Sequence, residues 1–376
     1  METSNKYNLD LGAINESNGG VADRSDVFYW QTDRVIKPDE AGAIWADRHR
    51  YFDDVGLVNK VNDFLNEDKL VFVEPLDIDA QTSLGNVNSV RSGVLESGQE
   101  VIIRAHPKGI RNGYFHVEAA AAKLAKESGL PSFDTIAVHD LRGFGDFAFQ
   151  VIEKLPGTAV SKWLETNPGD ETVLLSEIGK TMAKMHQIKV DGFGPFDNER
   201  AKIDGQLVGI HESSAEAIQA GLFFNLDVLE KAGIITANQK MNIADIFDKK
   251  NPLLKTRQAV LVHNDFADWN LLTDGKKVTG ILDWDECVGG DPVADLACWS
   301  TFYEPDRVKP LLDGYWQVAK KPIEFDDRFE LLRLRYILSK MTLRMRRQEW
   351  EPSEFIAEKI AVGKKHLAQS FEYFGI

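Results

Sequence analysis

The segment at residues 259–286 constrains the fold of this chain more than any other. Its apolar runs are short, with a turn at Asp274-Gly275 between the last two and polar side chains at their ends. These runs lie at residues 259–262, 270–273 and 278–282. An Asp-Gly turn between two such runs is typical of a β-hairpin. Because a hairpin pairs its strands, we expect Asn270 and Asp283 to lie close together.

The polar residues of this segment suit phosphoryl transfer. Asn270 and Asp283 offer the amide and carboxylate oxygens that Mg²⁺ prefers in proteins. Asp265 precedes Asn270 in the same loop and would face the site where a hydroxyl attacks. The reaction needs metal ions across the phosphates, a carboxylate that aligns the hydroxyl and accepts its proton, and positive charge on the donor. The segment supplies the first two, and the alternative is a chance cluster of surface carboxylates.

The order of β-rich and helical segments predicts an α+β fold. Short β-rich runs separated by turn residues come first, and a mainly helical half follows. The runs lie at residues 70–76, 89–95, 101–105 and 147–152. An alanine-rich helix is predicted over residues 116–128, closed by Gly129 and Pro131. We therefore expect a small antiparallel sheet with one main helix, followed by a larger helical part that carries the hairpin.

Three phrases of the sequence resemble a known family in both order and spacing. They are HNDFADWN, ILDWDE and GGDPVADLACW, and they resemble the core of the aminoglycoside phosphotransferases, relatives of the protein kinases. The resemblance implies a bilobal protein-kinase-like fold and a small-molecule kinase. By this resemblance Asp265 is the catalytic aspartate, and Asn270 and Asp283 are the magnesium ligands. Residues 283–285 stand where protein kinases carry Asp-Phe-Gly.

The same resemblance predicts three supporting residues. His263 is expected to fix the loop through a hydrogen bond from its ring to the backbone. Asp291 and Asp295 belong to the Gly-Asp-Pro-x-x-Asp element, and we expect them to buttress the loop rather than contact substrate.

The predicted organisation has three regions. Residues 1–65 form an N-terminal extension, residues 66–155 a nucleotide-binding lobe, and residues 156–376 a helical lobe with the catalytic loop and acceptor site. Within the extension, residues 1–26 are too polar to offset the entropy of ordering, so we expect them to be mobile. Residues 39–67 have apolar residues at helical spacings, which predicts one or two helices.

The sheet-rich lobe offers positive charge for the donor phosphates. In the kinase pattern a strand residue contacts the phosphates and pairs with a helix glutamate, which here predicts Arg104 and Glu118. The family often carries lysine at the first position, but a guanidinium binds phosphate bidentately and stays charged. A plain surface pair, with Lys108 in the phosphate role, is the alternative.

Further nucleotide contacts are predicted from backbone positions. Residues from Gly85 to Ser89 would cradle phosphate through their N–H groups, although they lack a full GxGxxG pattern and an ordinary hairpin turn is an alternative. The linker that includes Glu153 and Leu155 matches the place where related kinases bind the base. Whether the co-substrate is ATP or GTP is not determined by the sequence.

The acceptor is predicted only by class. The phrase GFGPF at residues 192–196 resembles hygromycin-B phosphotransferases and favours an aminoglycoside, although its glycines and proline also fit a loop beneath the cleft. The alternative is an endogenous sugar, amino alcohol or homoserine-like metabolite. Carboxylates suit a cationic acceptor, and an exposed helix face is the other explanation for several of them. The candidates are Asp268, Asp285, Asp227 and Glu230, with Glu212 and Glu216.

Composition limits the partners. The formal net charge is -15, which disfavours nucleic acid and anionic lipid. Cys287 and Cys298 are too few for a disulfide framework, and no signal peptide or run of about 20 apolar residues is present. We expect a cytoplasmic protein with a small hydroxylated acceptor and no nucleic-acid or membrane partner. Its oligomeric state is not readable. Seven basic residues near the C-terminus predict a basic face, for which pairing with the acidic surplus is favoured over binding of an anionic acceptor or partner. They are Arg328, Arg333, Arg335, Lys340, Arg344, Arg346 and Arg347.

Two other classes of protein compete with the kinase. His263 and Asp265 with a distant histidine such as His366 imitate the facial triad of a non-haem iron oxygenase, but residues 328–371 look helical where that fold needs strands. A kinase-like module that binds nucleotide without transferring phosphate is the second. Since Asp265, Asn270 and Asp283 are all present, the sequence favours an enzyme.

Overall fold

The computed structural model of the chain describes residues 53–76, 88–105, 114–139, 148–167, 171–350 and 352–376, and the single positions 43 and 169. Ala43 is helical, and the rest of the predicted extension before residue 53 lies outside the described residues. No helix in the described ranges combines the length and apolar character that crossing a bilayer requires.

A five-stranded antiparallel sheet forms the first lobe, in the order β1-β2-β3-β5-β4. Its elements are α1 (Asp54–Phe64), β1 (Leu70–Pro75), β2 (Ser89–Leu95), β3 (Glu100–Ala105), α2 (Phe115–Glu127), β4 (Thr135–His139) and β5 (Phe149–Glu153). The β2–β3 hairpin turns at Gly98, whose φ of +87° carries no steric cost for glycine. Leu57 and Val61 of α1 pack with Ile103 and Val151 in the core of this lobe.

Helix α2 joins the sheet to the rest of the molecule. Its alanines Ala121, Ala122 and Ala125 are buried in the main hydrophobic core together with Trp284. Small side chains allow the helix to lie against the turn that follows the predicted hairpin. The helix ends before Gly129, which has a φ of +82°, as the sequence predicts.

The second lobe is mainly helical, with two small sheets. Its elements are β6 (Thr158–Ala159), α3 (Val160–Thr166), α4 (Glu171–Met185), β7 (Lys189–Val190), β8 (Phe193–Phe196), α5 (Asn198–Asp204), β9 (Gly209–His211), α6 (Ser214–Gln219), α7 (Leu222–Lys231), α8 (Ala237–Lys249), β10 (Ala259–Val262), β11 (Leu271–Thr273), β12 (Val278–Ile281), β13 (Val288–Gly290), α9 (Val293–Trp299), α10 (Pro305–Tyr315), α11 (Phe325–Trp350) and α12 (Glu354–Phe374). One sheet has the order β7-β10-β13-β8-β9 and the other β12-β11-β6. Strand β10, buried along its whole length, leads from the first of these sheets into the candidate active site.

Glycine contacts fix two of these helices side by side. A Cβ atom on Gly179 of α4 would lie 2.0 Å from the carbonyl oxygen of Leu311 in α10, and one on Gly314 would lie 2.0 Å from that of Ser176. Both positions therefore require glycine for the helices to approach this closely. His186 directly follows α4, and its ring contacts the buried Asp295 beneath the active site.

The α+β, bilobal kinase-like fold class is confirmed. The domain bounds at residues 65 and 155 stay a prediction. The GFGPF phrase is not a loop, because Phe193–Phe196 form the fully buried strand β8, with Gly192 and Gly194 at positive φ.

The predicted basic face on the C-terminal helix is wrong. Arg333, Arg335, Lys340 and Arg346 are buried, because α11 runs through the core instead of along the surface. Arg335, for example, donates to the carbonyl oxygens of Ile218 at 2.7 Å and Ala220 at 2.6 Å. Its charge serves to satisfy backbone at the end of α6 rather than to form a surface.

Candidate active site

The loop after β10 is held from below by one carboxylate. Asp295 of α9 is fully buried and accepts hydrogen bonds from the backbone N–H groups of His263 at 2.9 Å and Asn264 at 2.8 Å. Asn264 has a φ of 67°, a left-handed conformation that costs free energy unless its surroundings impose it. The two hydrogen bonds to Asp295 supply that restraint and set the path of the chain into Asp265.

The His263 ring fixes the other side of the loop. Its Nε2 lies 2.8 Å from the carbonyl oxygen of Leu282. Because a carbonyl only accepts, Nε2 carries the proton and donates. This contact joins the loop to the end of β12, one residue before Asp283, and matches the supporting position that the sequence assigns to His263.

Asp265 and Asn270 are in direct contact. The Asn270 side-chain amide donates to Asp265 Oδ2 at 3.1 Å and to the Asp265 carbonyl oxygen at 2.9 Å. The Asn270 carbonyl oxygen accepts from Leu282 N at 2.9 Å, and the hairpin pairs Leu271 with Ile281. The hairpin therefore places Asn270 next to the strand end that leads into Asp283.

Asp283 is joined to the first lobe by Arg104. Asp283 has a φ of 63° and its Oδ1 accepts from Arg104 Nη2 at 2.6 Å. Arg104 also donates through Nη1 to Glu118 Oε1, and its Nη2 lies 3.6 Å from Asp285 Oδ2. One guanidinium thus binds the helix glutamate, as predicted, and reaches the hairpin end of the other lobe.

The electrostatics of this cluster follow from burial. Burial alone would lower the pKa of Arg104, but Glu118, Asp283 and Asp285 raise it above its usual value. Burial raises the pKa of Glu118 to about 7, with Arg104 acting against that rise. Burial and then the negative charge of Asp283 raise the pKa of Asp285 well above its usual range. Arg104 offsets part of the negative charge that burial and mutual repulsion make unfavourable on these carboxylates.

The other predicted nucleotide contacts differ in position. Gly85 and Lys108 lie outside the described residues. Ser89 is buried at the start of β2, and its hydroxyl accepts from Arg91 Nη1 at 3.2 Å. The Glu153 carboxylate lies 2.8 Å from Lys126 Nζ, and its N–H donates to the Asp134 carbonyl oxygen at 2.9 Å. Leu155 is partly buried against the main core.

The predicted acceptor carboxylates are spread over two places. Asp268 is in the 3-10 turn Asp268–Asn270, close to the catalytic loop, where burial raises its pKa and Tyr303 and Arg307 oppose that rise. Asp227 and Glu230 lie on α7 and both bind Lys240 of α8. The structure therefore brings Asp268 and Asp285 to the loop and accounts for Asp227 and Glu230 by a contact between two helices.

Asp291 lies at the start of α9. Its Oδ1 accepts from Val293 N at 2.9 Å, and its Oδ2 is 3.3 Å from Arg328 Nη1. It ties α9, which carries Asp295, to helix α11. Burial raises the pKa of Asp291 against the positive charge of Arg328.

Residues that sequence reasoning missed complete the support of the loop. His186 Nε2 lies 3.1 Å from Asp295 Oδ2, and its Nδ1 lies 2.8 Å from the Tyr315 hydroxyl. The Tyr303 hydroxyl accepts from Asp268 N at 2.9 Å. Tyr336 donates to Asn264 Oδ1 at 2.5 Å. No local sequence signal marks these residues, because each lies on an element distant in the chain from the loop.

A sheet-rich lobe joined through an arginine to a loop-and-hairpin site on a helical lobe defines a kinase-like phosphotransferase. The model of the phosphotransferase enzyme family APH matches residues 85–334. The chain belongs to this family, and it is a small-molecule phosphotransferase. A sequence search of curated proteins gives no match.

Solved structures share the fold. A proposed aminoglycoside phosphotransferase from Ralstonia eutropha JMP134 has a TM-score of 0.61 at 15% identity, over 86% of this chain and 98% of its own. A protein from Thermobifida fusca YX-ER1 proposed to be a fructosamine-3-kinase has a TM-score of 0.58 at 16% identity, over 83% and 98%. A thermostable mutant of the aminoglycoside phosphotransferase APH(4)-Ia, in complex with AMP-PNP and hygromycin B, has a TM-score of 0.58 at 15% identity, over 83% and 98%. At these identities the likeness shows the fold alone.

The iron-oxygenase alternative is wrong. The family and fold are those of a phosphotransferase, and the His263 ring donates to a backbone carbonyl. His366 belongs to helix α12, where it is buried.

Proposed function

We propose that the chain transfers the γ-phosphoryl group of ATP or GTP, with Mg²⁺, to a hydroxyl of a small molecule. The observation that carries the proposal is the Asn270 amide, which binds the Asp265 carboxylate from the base of the hairpin that ends in Asp283. This contact supports the proposal, because it brings the proposed base to the hairpin that carries both proposed metal ligands.

The donor set fits magnesium. Since the Asn270 amide nitrogen points to Asp265, its oxygen points away from Asp265 and is available for a cation. Asp283 adds a carboxylate whose side chain is 39% exposed. One amide and one carboxylate oxygen, completed by phosphate and water, form the kind of set that Mg²⁺ favours. Bound there, Mg²⁺ would neutralise charge on the transferring phosphates.

Asp265 is the proposed base. Its carboxylate orients the acceptor hydroxyl and accepts the proton as the acceptor oxygen forms its bond to the γ-phosphorus. The bond from that phosphorus to the bridging oxygen breaks, and the nucleoside diphosphate leaves with the electron pair. Asn270 holds the carboxylate of Asp265 in place, and Asp295 and His263 hold the loop.

The first lobe is proposed to bind the nucleotide. Arg104, positioned by Glu118, supplies positive charge to the donor phosphates. We propose that the carbonyl of Glu153, the last residue of β5, and the N–H of Leu155, two residues later, bind the base. Gly85 and Ser89 keep their proposed place at the phosphates, and the complex of APH(4)-Ia with an ATP analogue supports ATP as the first nucleotide to test.

The acceptor is proposed to be a small hydroxylated molecule. An aminoglycoside such as hygromycin and an endogenous sugar, amino alcohol or homoserine-like metabolite are the two candidate classes. A cytoplasmic location and the lack of a nucleic-acid partner stay predictions from composition.

The test of the proposed base is Asp265→Asn, with Asp313→Asn on the exposed face of α10 as the matched control. We expect acceptor-dependent nucleotide consumption to fall by about 10²–10⁴-fold in Asp265→Asn, while Mg-nucleotide binding measured by calorimetry stays within about threefold. The control should match the unmodified chain. Equal turnover in Asp265→Asn and the control would exclude Asp265 as the base, and tight nucleotide binding without turnover on any acceptor would favour the non-catalytic module.

A further inference from the structure

Four of the carboxylates predicted to receive a cationic acceptor have cationic partners within the protein. The pairs are Asp268 with Arg307 at 3.7 Å, Asp285 with Arg104 at 3.6 Å, and Asp227 and Glu230 with Lys240 at 2.5 and 2.6 Å. A polycationic acceptor would have to displace these internal cations. These pairs offset part of the negative charge that would attract additional ammonium groups.

The charged groups around Asp268 also disfavour a polycationic acceptor. Burial raises the pKa of Asp268, and the positive charges of Arg307 and Lys359 oppose that rise. Lys359 in turn lies near Arg344, whose Nη1 donates to the Lys359 carbonyl oxygen at 3.0 Å. Arg307, 3.7 Å from Asp268 Oδ2, therefore offsets part of the negative charge on this side of the catalytic loop.

An aromatic ring is exposed beside the catalytic loop. Trp269 is 44% exposed although its neighbours Asp268 and Asn270 are buried, and all three belong to one 3-10 turn. Its ring meets that of Phe302 edge to face, with centroids 4.8 Å apart. Lys340 Nζ lies over the Phe302 ring. Phe302 is thus packed in place, and it orients Trp269 while leaving part of the indole open.

Trp269 is next in the chain to a residue that contacts the proposed base. Asn270, the next residue, contacts the Asp265 carboxylate. The hydroxyl of Tyr303, the residue after Phe302, accepts a hydrogen bond from the backbone N–H of Asp268 at 2.9 Å. Burial of a half-exposed tryptophan against a ligand releases water from a large apolar surface. Its flat face suits the C–H face of a saturated ring.

We infer that Trp269 is a specificity-determining residue that packs against a ring of the acceptor, and that the acceptor is a hydroxylated ring compound of low positive charge, such as a sugar or cyclitol. The inference rests on the proposed function and narrows its acceptor. In this arrangement the face of the Trp269 indole packs against the acceptor ring, and Asp265 accepts the proton of a hydroxyl on that ring. Because the nearby carboxylates are paired within the protein, additional ammonium groups on the acceptor gain little from them.

The test uses the full chain with Mg-nucleotide and two sets of probes. The neutral set is D-glucose, D-ribose, D-fructose and myo-inositol, and the polycationic set is hygromycin B and kanamycin. Trp269→Leu removes the flat face, Trp269→Phe keeps an aromatic ring, and Tyr373→Leu is the control at an aromatic residue of similar exposure, 47%, at the far end of α12. The readout is nucleoside diphosphate release, separated into kcat and the acceptor KM.

We expect the unmodified chain to turn over a neutral ring compound. The KM for that compound should rise about tenfold in Trp269→Leu and by less in Trp269→Phe. In the control Tyr373→Leu the KM should not change. Turnover with the aminoglycosides alone, or a KM unchanged in Trp269→Leu, overturns the inference while leaving the proposed function intact. Turnover that persists in Asp265→Asn overturns the proposed base instead. No turnover with either set counts against both.

Discussion

Arg104 is the residue through which the two lobes share charge. It binds Glu118 of α2 and Asp283 at the end of the hairpin at the same time. A guanidinium is a planar fork with several donors, so one side chain can serve two carboxylates in fixed directions. A lysine ammonium is a point charge that serves one of them well. The arginine in place of the more frequent lysine therefore changes the geometry of the site while keeping its charge.

Arg104→Lys should accordingly weaken nucleotide use more than it weakens folding. We expect the nucleotide KM to rise about tenfold, which corresponds to about 1.4 kcal/mol, because the ammonium cannot hold Glu118 and reach the phosphates together. Steady-state kinetics at saturating acceptor measure the change. Arg200→Lys is the matched control, since Arg200 is in an exposed pair with Asp204 on α5. A nucleotide KM equal to that of the control would show that Arg104 has no part in binding the donor.

At the scale of elements, the paired helices α11 and α12 hold the C-terminal part of the fold. Arg333 binds Gln369 at 2.7 Å, whereas Arg344 binds the carbonyl oxygen of Lys359 at 3.0 Å, so the helices run antiparallel. A Cβ atom on Gly363 would lie 2.0 Å from Met341 Sδ, which shows how closely they approach. Because polar side chains are buried between α11 and α12, we expect the stability of this helix pair to depend on their protonation.

His366 on α12 should make the stability of the chain depend on pH. Burial, followed by the positive charge of Arg333, lowers its pKa from 6.5 to about 4. Between these two values the unfolded chain binds the proton and the folded chain does not, so the contribution is complete above pH 6.5 and is lost as the pH falls toward 4. We expect urea unfolding to show that the unmodified chain loses about 1 kcal/mol more than His366→Gln between pH 7 and pH 5, once solvent screening is allowed for.

The control for this prediction is Lys364→Gln, at an exposed position of the same helix. It changes charge without touching the buried contact, and its pH dependence should follow that of the unmodified chain. If acidification lowers the free energy of unfolding of His366→Gln by as much as that of Lys364→Gln, protonation of His366 does not contribute to the pH dependence of stability.

At the scale of the whole molecule, the sequence predicts the features that depend on a local pattern of residues. It does not predict contacts between elements that are far apart in the chain. The hairpin after Asn270, helix α2 and the sheet strands follow from turn residues and periodicity within short windows, and the structure has each of them. Contacts made by His186 and Tyr303 depend on packing between elements far apart in the chain, which no spacing rule reveals. The basic residues of α11 were assigned to a surface because charge usually lies there, yet the helix crosses the core and buries several of them.

Two lobes that meet through the Arg104–Asp283 contact should respond as one unit to Mg-nucleotide. At a free concentration 100 times its Kd, a nucleotide that binds only the folded chain stabilises it by about 2.7 kcal/mol. We expect thermal unfolding to show this stabilisation with Mg²⁺ and to lose most of it when EDTA removes the metal. The reason is that, in the proposed site, Asn270 and Asp283 contact the phosphates through the metal.

The variant Asp283→Asn tests whether Asp283 binds the metal, as proposed. In this variant we expect nucleotide to stabilise the chain equally with Mg²⁺ and with EDTA, because the amide lacks the charge that makes the metal part of the complex. Asp265→Asn serves as the control, since the proposed base contacts the acceptor rather than the metal, and it should keep the magnesium-dependent shift. For each variant, the stabilisation by nucleotide with Mg²⁺ is compared with the stabilisation by nucleotide with EDTA. Because Asp283→Asn lacks the Arg104 contact in both conditions, that loss does not affect the difference. A magnesium-dependent shift of full size in Asp283→Asn would place the metal on other residues and would leave Asp283 only its contact with Arg104.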